Sequence, residues 1–406
     1  MKKIIVISFI ALVSSILWGC SNALEEGVIS GNSTSIEKSV HLRISEEDAI
    51  HIADQILKKN QTRGAIQELP SCEYVINSTP TRSSLVSDTV AYILNYPNEE
   101  GFAIISSSRN VNPVLAFSES GNFDFSNEVA KLYFIDNISA YNNNAEAPEI
   151  YGNDNYLDGC VIIGDTATMD IGQWSPWNKY VDEKHPGCPA GCVPVATALA
   201  ICNTVDSLDY HNEKFYTDSL YSVISGGLPS VPSYSDYVKY NDGVDGIAKL
   251  LYYIGADLNT KYSTSESVAS SEDVIPFLKR NNIEVVDSYE EYNTNEKTIM
   301  RMINELYQGG VIYMRGSQEG GKYGHAWISD GCMFCYEDKP RKQGLLDWYL
   351  HINWGWGGVD NGYYNGEVFN ADKMNVSFRV TNFFFVRGDK WEPNLPIVKP
   401  ISSWGI

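Results

Sequence analysis

The run Gly187-Cys-Pro-Ala-Gly-Cys192-Val-Pro-Val-Ala-Thr-Ala-Leu-Ala200 decides how the rest of the chain is read. The residues after Pro194 are good helix material, and a proline near the first helical positions is tolerated because its missing N–H is not needed there. Cys192 therefore falls at or just before a helix N-terminus. Unpaired N–H groups and the positive end of the helix dipole favour thiolate over thiol at that place. Gly191 permits an unusual backbone angle and a close approach of substrate. A buried structural cysteine packing a helix has the same local sequence, so the thiol needs partners from elsewhere in the chain.

Six histidines are available. His41 and His51 belong to an N-terminal stretch and read as solvated, as does His211 in a polar run. His185 reads as a loop residue, and His351 as a structural histidine in a strand beside Leu350 and Ile352. His325 differs: in Gly320-Gly-Lys-Tyr-Gly-His325-Ala-Trp-Ile-Ser-Asp-Gly331 it follows a glycine-rich loop and opens an apolar strand, so access is clear while the backbone is fixed. In His351-Ile-Asn353-Trp-Gly-Trp-Gly357 a side-chain amide, with Trp354 and Trp356 behind it, can orient an imidazole and keep water from that bond. Gln173, in Gln173-Trp-Ser-Pro-Trp-Asn178, can point an amide at a developing oxyanion beside the Cys192 N–H. Each of these stretches, taken singly, also reads as ordinary packing or surface.

Working outward, the patterns give an α+β chain in two units. Ser45-Glu-Glu-Asp48 starts a helix whose apolar residues Ala49, Ile52, Ala53 and Ile56 share one face. Short strands at Glu73–Asn77, Val90–Tyr96, Gly101–Ser106 and Val114–Phe117 follow, with a hairpin turn at Pro97–Gly101. The polar run from Asn142 to Asn155 reads as an exposed linker. Beyond it come helices at Val193–Cys202, Gly246–Ile254 and Thr298–Tyr307. Strands then dominate, at Val311–Met314, His325–Ser329, Trp348–Asn353 and Phe378–Val386.

The ends and the composition set the setting. Lys2 and Lys3 precede an apolar run ending at Gly19-Cys20, which is too short for a stable membrane span and reads as a secretory signal. A small residue directly before Cys20 resembles a lipobox, the motif of an acylated N-terminal cysteine. Residues 21–40 are Ser/Asn/Gly/Glu-rich and suit a tether. The 406 residues, 43% hydrophobic and 20% charged, describe a globular protein rather than a disordered one, and the net charge of −21 with no basic run argues against nucleic-acid binding. Of eight cysteines, seven remain if Cys20 carries lipid, and that odd number points to at least one special thiol.

The chain order Gln173, Cys192, His325, Asn353, with 133 positions between thiol and imidazole, resembles that of papain-like thiol proteases. More specifically, the chain resembles the streptopain family of bacterial cysteine peptidases. The likeness is carried by Gln173-x-x-Pro176-Trp-Asn178, Ala190-Gly-Cys192-Val, Gly324-His325-Ala with Asp330-Gly331 behind it, and Asn353-Trp-Gly-Trp-Gly357. It extends to Gly101-Phe-Ala-Ile-Ile-Ser and Pro113–Phe123, which look like that family's propeptide. One departure is Ile171, where the family usually has tryptophan.

The resemblance implies a papain-like cysteine protease domain at 151–406 behind a small α+β propeptide domain at 41–150, exported through residues 1–20 and tethered by 21–40. It implies a cysteine endopeptidase made as a zymogen, with Cys192 as nucleophile, His325 as base and then acid, Gln173 as oxyanion donor, and Asn353 with Trp354 beside it as the third catalytic position. Its partners would be protein or peptide substrates and its own propeptide. No cofactor, metal or nucleic acid is expected, and the membrane is reached only through lipid on Cys20. A Cys188–Cys192 disulfide would silence such an enzyme, so that pair is expected reduced. Three rivals stand beside this reading: a metal site using Cys332-Met-Phe-Cys335, whose cysteines otherwise suit strand packing or a surface disulfide; a non-catalytic inhibitor or binding lipoprotein; and a thiol hydrolase or acyltransferase acting on cell-wall peptides.

Overall fold

The computed structural model describes residues 43–57, 68–77, 89–127, 130–143, 160–164, 169–217, 220, 234–290, 292–318, 324–335, 347–369, 378–390 and 397–398. The expected signal peptide with Cys20, the expected tether, most of the expected linker and the glycine-rich loop before Gly324 lie outside the described residues. Helix α1 (Glu46–Ile56) begins where the sequence supplies a cap: the Ser45 hydroxyl accepts from the Asp48 N–H, and the Asp48 carboxylate accepts from the Ser45 N–H. Its buried side chains are Ala49, Ile52, Ala53 and Ile56. Strands β1 (Ser71–Ile76), β2 (Thr89–Asn95), β3 (Phe102–Ser106) and β4 (Val114–Ser118) follow as an antiparallel meander. A π-helical turn at Lys131–Ile135 then runs into α2 (Asp136–Asn143), so Asn142 and Asn143, read from sequence as linker, close a helix instead.

The C-terminal part holds β5 (Cys160–Gly164), α3 (Lys179–Lys184), α4 (Cys192–Thr204), the β6–β7 ribbon (Ser207–Tyr210, Glu213–Tyr216), α5 (Tyr234–Asp257) and α6 (Val274–Arg280). After these come β8 (Glu284–Tyr289), α7 (Glu296–Tyr307), β9 (Val311–Gln318), β10 (Gly324–Cys335), β11 (Asp347–Asn353), β12 (Gly362–Asn365), β13 (Phe378–Arg387) and β14 (Ile397–Val398). Their order in the sheet is β1-β2-β3-β4-β12-β11-β10-β9-β13-β8, with β5 on β10 and β14 on β5. The two expected units therefore share one sheet, joined where Tyr363 and Tyr364 of β12 pair with Phe117 and Ala116 of β4. That seam is buried, with the Phe117 and Tyr363 rings stacked at 5.3 Å.

Helix α4 is apolar on every side, and it is buried accordingly, packed on β9 and β10 with α5 against it. Helix α7 is amphipathic: Asn295 caps its N-terminus by accepting from the Thr298 N–H, and Ile299, Met302, Ile303 and Leu306 face the sheet. Glu305, on the same helix, is fully buried and held by both Arg387 (2.6 and 2.7 Å) and Arg301 (2.9 Å). Losing Arg387 leaves the buried carboxylate with Arg301 as its one remaining ion-pair partner among the described residues. Arg387→Met should therefore cost about 3 kcal/mol, read as a lower urea midpoint with an unchanged slope.

The cysteines narrow two readings. Cys72, Cys188, Cys192, Cys202 and Cys332 are all free, so an odd count does not single out one thiol. Cys332 is buried and free, which removes a Cys332–Cys335 disulfide. Cys160 is disulfide-bonded, and its register partner on β10 is Cys335.

Candidate active site

Gly191 caps α4 at φ +94°, a backbone region that side chains disfavour, and a Cβ there would meet the Ser267 carbonyl at 2.9 Å. The turn is braced from outside by the Ser267 hydroxyl on the Pro189 carbonyl (2.6 Å), the Asn178 amide on the Cys188 carbonyl (2.9 Å) and the Ala190 N–H on the Gln173 carbonyl (2.7 Å). Cys192 is thereby set as the first residue of the helix, half-buried. Its sulfur lies against the backbone of Ala326, the neighbour of His325. Strand β10 thus brings the histidine to the thiol across 133 positions of sequence.

His325 is buried and stacked among indoles, with ring centroids 5.0 Å from Trp356, 5.9 Å from Trp327 and 6.3 Å from Trp354. Its Nε2 lies 3.0 Å from the Trp354 main-chain carbonyl. A carbonyl oxygen only accepts, so in the neutral ring Nε2 carries the proton and Nδ1 keeps its lone pair. The expected amide contact is absent. Asn353 is buried with its Nδ2 on the Met169 carbonyl (3.0 Å) and its Oδ1 taken by the Gly355 N–H (3.0 Å). The Asn353 side chain shapes the turn that presents the Trp354 carbonyl. Trp354 is fully buried, and its N–H is held by Asn361 Oδ1 at 3.1 Å.

Gln173 stands beside this group, tied in by the Gly357 N–H on the Ile171 carbonyl (3.1 Å). Its side-chain amide has no hydrogen-bond partner among the described residues, and it lines a cavity of about 680 Å³ with Trp174, Trp356, Gly357 and Tyr240. Asn127, from the N-terminal unit, lines the same cavity. The buried Ile171 occupies the position where tryptophan was expected.

Sequence reasoning missed an aromatic residue whose hydroxyl senses the thiol. Tyr133, on the π-helical turn, is buried with its ring 5.3 Å from Trp327 and its hydroxyl donating to the Gly316 carbonyl at 2.8 Å. Its phenol is also bonded by the backbone of His325 and feels the charge of Cys192. The ring fits because residue 316 is glycine: a Cβ there would come within 2.3 Å of Tyr133 Cε1. In Lys131-Leu-Tyr-Phe-Ile135 no spacing marks one aromatic residue as different from its neighbours.

Burial governs the ionisation. The Cys192 thiol is pushed up by desolvation, against the pull of backbone groups of Ala326, Val193 and Cys192 itself. His325 is pushed down to about 4 by burial, only partly offset by its bond to Trp354. At neutral pH the covered pair is therefore thiol and neutral imidazole, although the helix start alone favours thiolate. Among the described residues no group of three His, Cys, Asp or Glu side chains is placed to hold a metal ion.

Residues 171–364 match the model of the Peptidase C10 family, and residues 42–145 that of the Spi protease inhibitor. Residues 171–364 are a cysteine peptidase domain of the C10, or streptopain, family. Streptopain of Streptococcus pyogenes is 24% identical over 323 residues, which span 72% of this chain and 77% of that one. The serotype M1 form is 24% identical over 324 residues. Among solved structures, a prointerpain A fragment from Prevotella intermedia aligns over 80% of this chain and 100% of its own at 19% identity and a TM-score of 0.48. The peptidase thus carries an N-terminal propeptide, and the turn with Tyr133, whose phenol feels Cys192, belongs to it.

Proposed function

We propose that the chain is made as an exported zymogen whose Cys192 and His325 hydrolyse peptide bonds once the propeptide leaves. The observation that carries this is the meeting of a helix-start thiol, a Trp354-held imidazole and a propeptide tyrosine in one place. In this reading residues 1–20 are a signal peptide with Cys20 as the lipidated residue, 21–40 a tether, 41–150 the inhibitory propeptide and 151–406 the peptidase. The disulfide at Cys160 supports an oxidising compartment outside the cytoplasm.

The chemistry follows from the atoms. With the propeptide gone, water and substrate reach the pair, and Nδ1 of His325 takes the Cys192 proton. The thiolate attacks the peptide carbonyl, and the developing oxyanion is met by the Gln173 amide and the Cys192 N–H. His325 returns its proton to the leaving amine, and the acyl-thioester is then cleaved by water with His325 as base. Asn353 and the Trp354 carbonyl keep the imidazole in the tautomer this sequence needs.

Intact mass of the full chain, followed over time in reductant, tests the reading. The expected result is loss of the propeptide mass, blocked by a single adduct of a thiol-directed epoxide on Cys192. A chain trimmed by an added protease that still refuses the adduct would overturn it. Gln173→Ala, measured on the processed enzyme, should lower kcat on the order of 10²-fold, worth about 3 kcal/mol, with little change in KM.

A further inference from the structure

Asp360 lies just beyond the Trp354–Gly358 turn, at φ +62° and 1% exposed. Both of its carboxylate oxygens are filled from the propeptide. Oδ1 accepts the Asp124 N–H at 2.6 Å and Oδ2 accepts the Asn127 amide at 3.0 Å. No group of the peptidase part donates to that carboxylate among the described residues. The peptidase part instead fixes its backbone, with the Tyr364 hydroxyl on the Asp360 carbonyl and Asn361 on the Trp354 N–H. Asp360 is thus a buried acid built into the peptidase with hydrogen-bond donors that only the propeptide supplies.

We propose that Asp360 is the residue by which the peptidase recognises its propeptide, an acid clasp for a turn presenting two N–H donors. The inference rests on the propeptide reading above. Residues 124–127 lead within a few positions to Tyr133, so letting go of the turn at Asp360 frees the segment that covers Cys192. The clasp also adjoins the cleft, since Asn127 lines one cavity with Gln173 and Trp356.

The clasp responds to pH in a defined direction. Burial, with Asp124's carboxylate facing it, pushes the Asp360 carboxyl up to about 7, while the two propeptide donors pull the other way. Asp124 is the charged group that faces it, and the Tyr364 hydroxyl bonds its carbonyl. In the open chain the carboxyl is solvated and titrates in the usual acid range. The closed chain therefore holds a proton that the open chain releases. The clasp contributes most at low pH and weakens as pH rises through about 7.

The test reads access to the thiol, not catalysis. Full-length chain is given short pulses of iodoacetamide, and only uncut molecules are scored by mass for label on Cys192. Asp360→Gly keeps the positive φ and removes the carboxylate; Asn127→Ala removes one donor from the propeptide side. At pH 6, labelling should be roughly tenfold faster in Asp360→Gly and severalfold faster in Asn127→Ala. The double variant should be no faster than Asp360→Gly alone. The ratio of Asp360→Gly to wild type should shrink between pH 6 and pH 8, a comparison in which the titration of Cys192 itself cancels. Silent Cys202 and Cys332 report an intact fold. If Cys192 is protected equally in wild type and both variants at pH 6, or if the two substitutions simply multiply, the clasp assignment is wrong. If wild-type Cys192 labels as fast as a free thiol, the covering propeptide itself is the reading that fails.

Discussion

A Cys192→Ala chain should fold, stay at full length indefinitely and hydrolyse no peptide. Removing the nucleophile of an acyl-enzyme mechanism typically costs on the order of 10⁶-fold in kcat, because the oxyanion donors have nothing to stabilise unless a carbonyl is attacked. No other described free thiol of the peptidase part can replace it. Cys202 and Cys332 are buried with their thiols pushed up to about 12 and further, and Cys188 lies in the brace behind the helix start with its sulfur on the Pro186 carbonyl. Alanine suits the first turn of α4 and removes only one half-buried atom, so stability should fall by no more than about 1 kcal/mol. The check is paired: thermal unfolding with intact mass, and peptide hydrolysis after an external protease has removed the propeptide. Substantial hydrolysis by the folded, trimmed variant would sink the Cys192 assignment. Hydrolysis lost together with the fold would say nothing of chemistry, which is why the unfolding trace comes first.

The local chemistry was legible because it depends on short-range pattern. Gly191-Cys192-Val-Pro194 contains a helix start, and the observed helix begins at Cys192. Val311, Trp348 and Phe378 each fall within one residue of the start of an observed strand. What sequence pattern does not carry is registry between distant segments. The pairing of β4 with β12, the seating of Tyr133 on Gly316 and the clasp at Asp360 each join residues about 180 to 250 positions apart. The side chain of Asn353 shows the same limit at shorter range. An amide in that motif is chemically able to hold an imidazole, yet the turn consumes both of its ends and offers the Trp354 carbonyl instead. Ionisation was misread for a related reason. A helix N-terminus favours thiolate, but desolvation by burial among residues brought together from distant parts of the chain outweighs it.

Tyr133→Ala should open the zymogen more than any other single change in the propeptide. The ring is 3% exposed, packs on Trp327 and spans Gly316 with its hydroxyl on that residue's carbonyl, so truncation removes burial and leaves a void beside the thiol. Large-to-small changes of buried aromatic residues cost about 3 kcal/mol or more, which is on the order of 10² in the ratio of open to closed chains. Iodoacetamide labelling of Cys192 in uncut chain should accelerate by that order, and propeptide loss should begin earlier by a similar factor. Opening also rehydrates both partners, so the rise should be accompanied by a labelling profile shifted to lower pH as the thiol falls from its raised value. Tyr133→Phe separates the two contributions: it keeps the ring and loses only the hydroxyl's bonds, to the Gly316 carbonyl and the His325 backbone, for an effect of about 1 kcal/mol for each bond lost. Gly316→Ala approaches the same contact from the peptidase side, because its Cβ would sit 2.3 Å from Tyr133 Cε1 unless the ring moves. It should loosen the propeptide without touching it. A Tyr133→Ala chain whose thiol stays as protected as wild type would show that the cover on Cys192 is held by the shared β4–β12 seam and the Asp360 clasp alone, with the tyrosine a passenger.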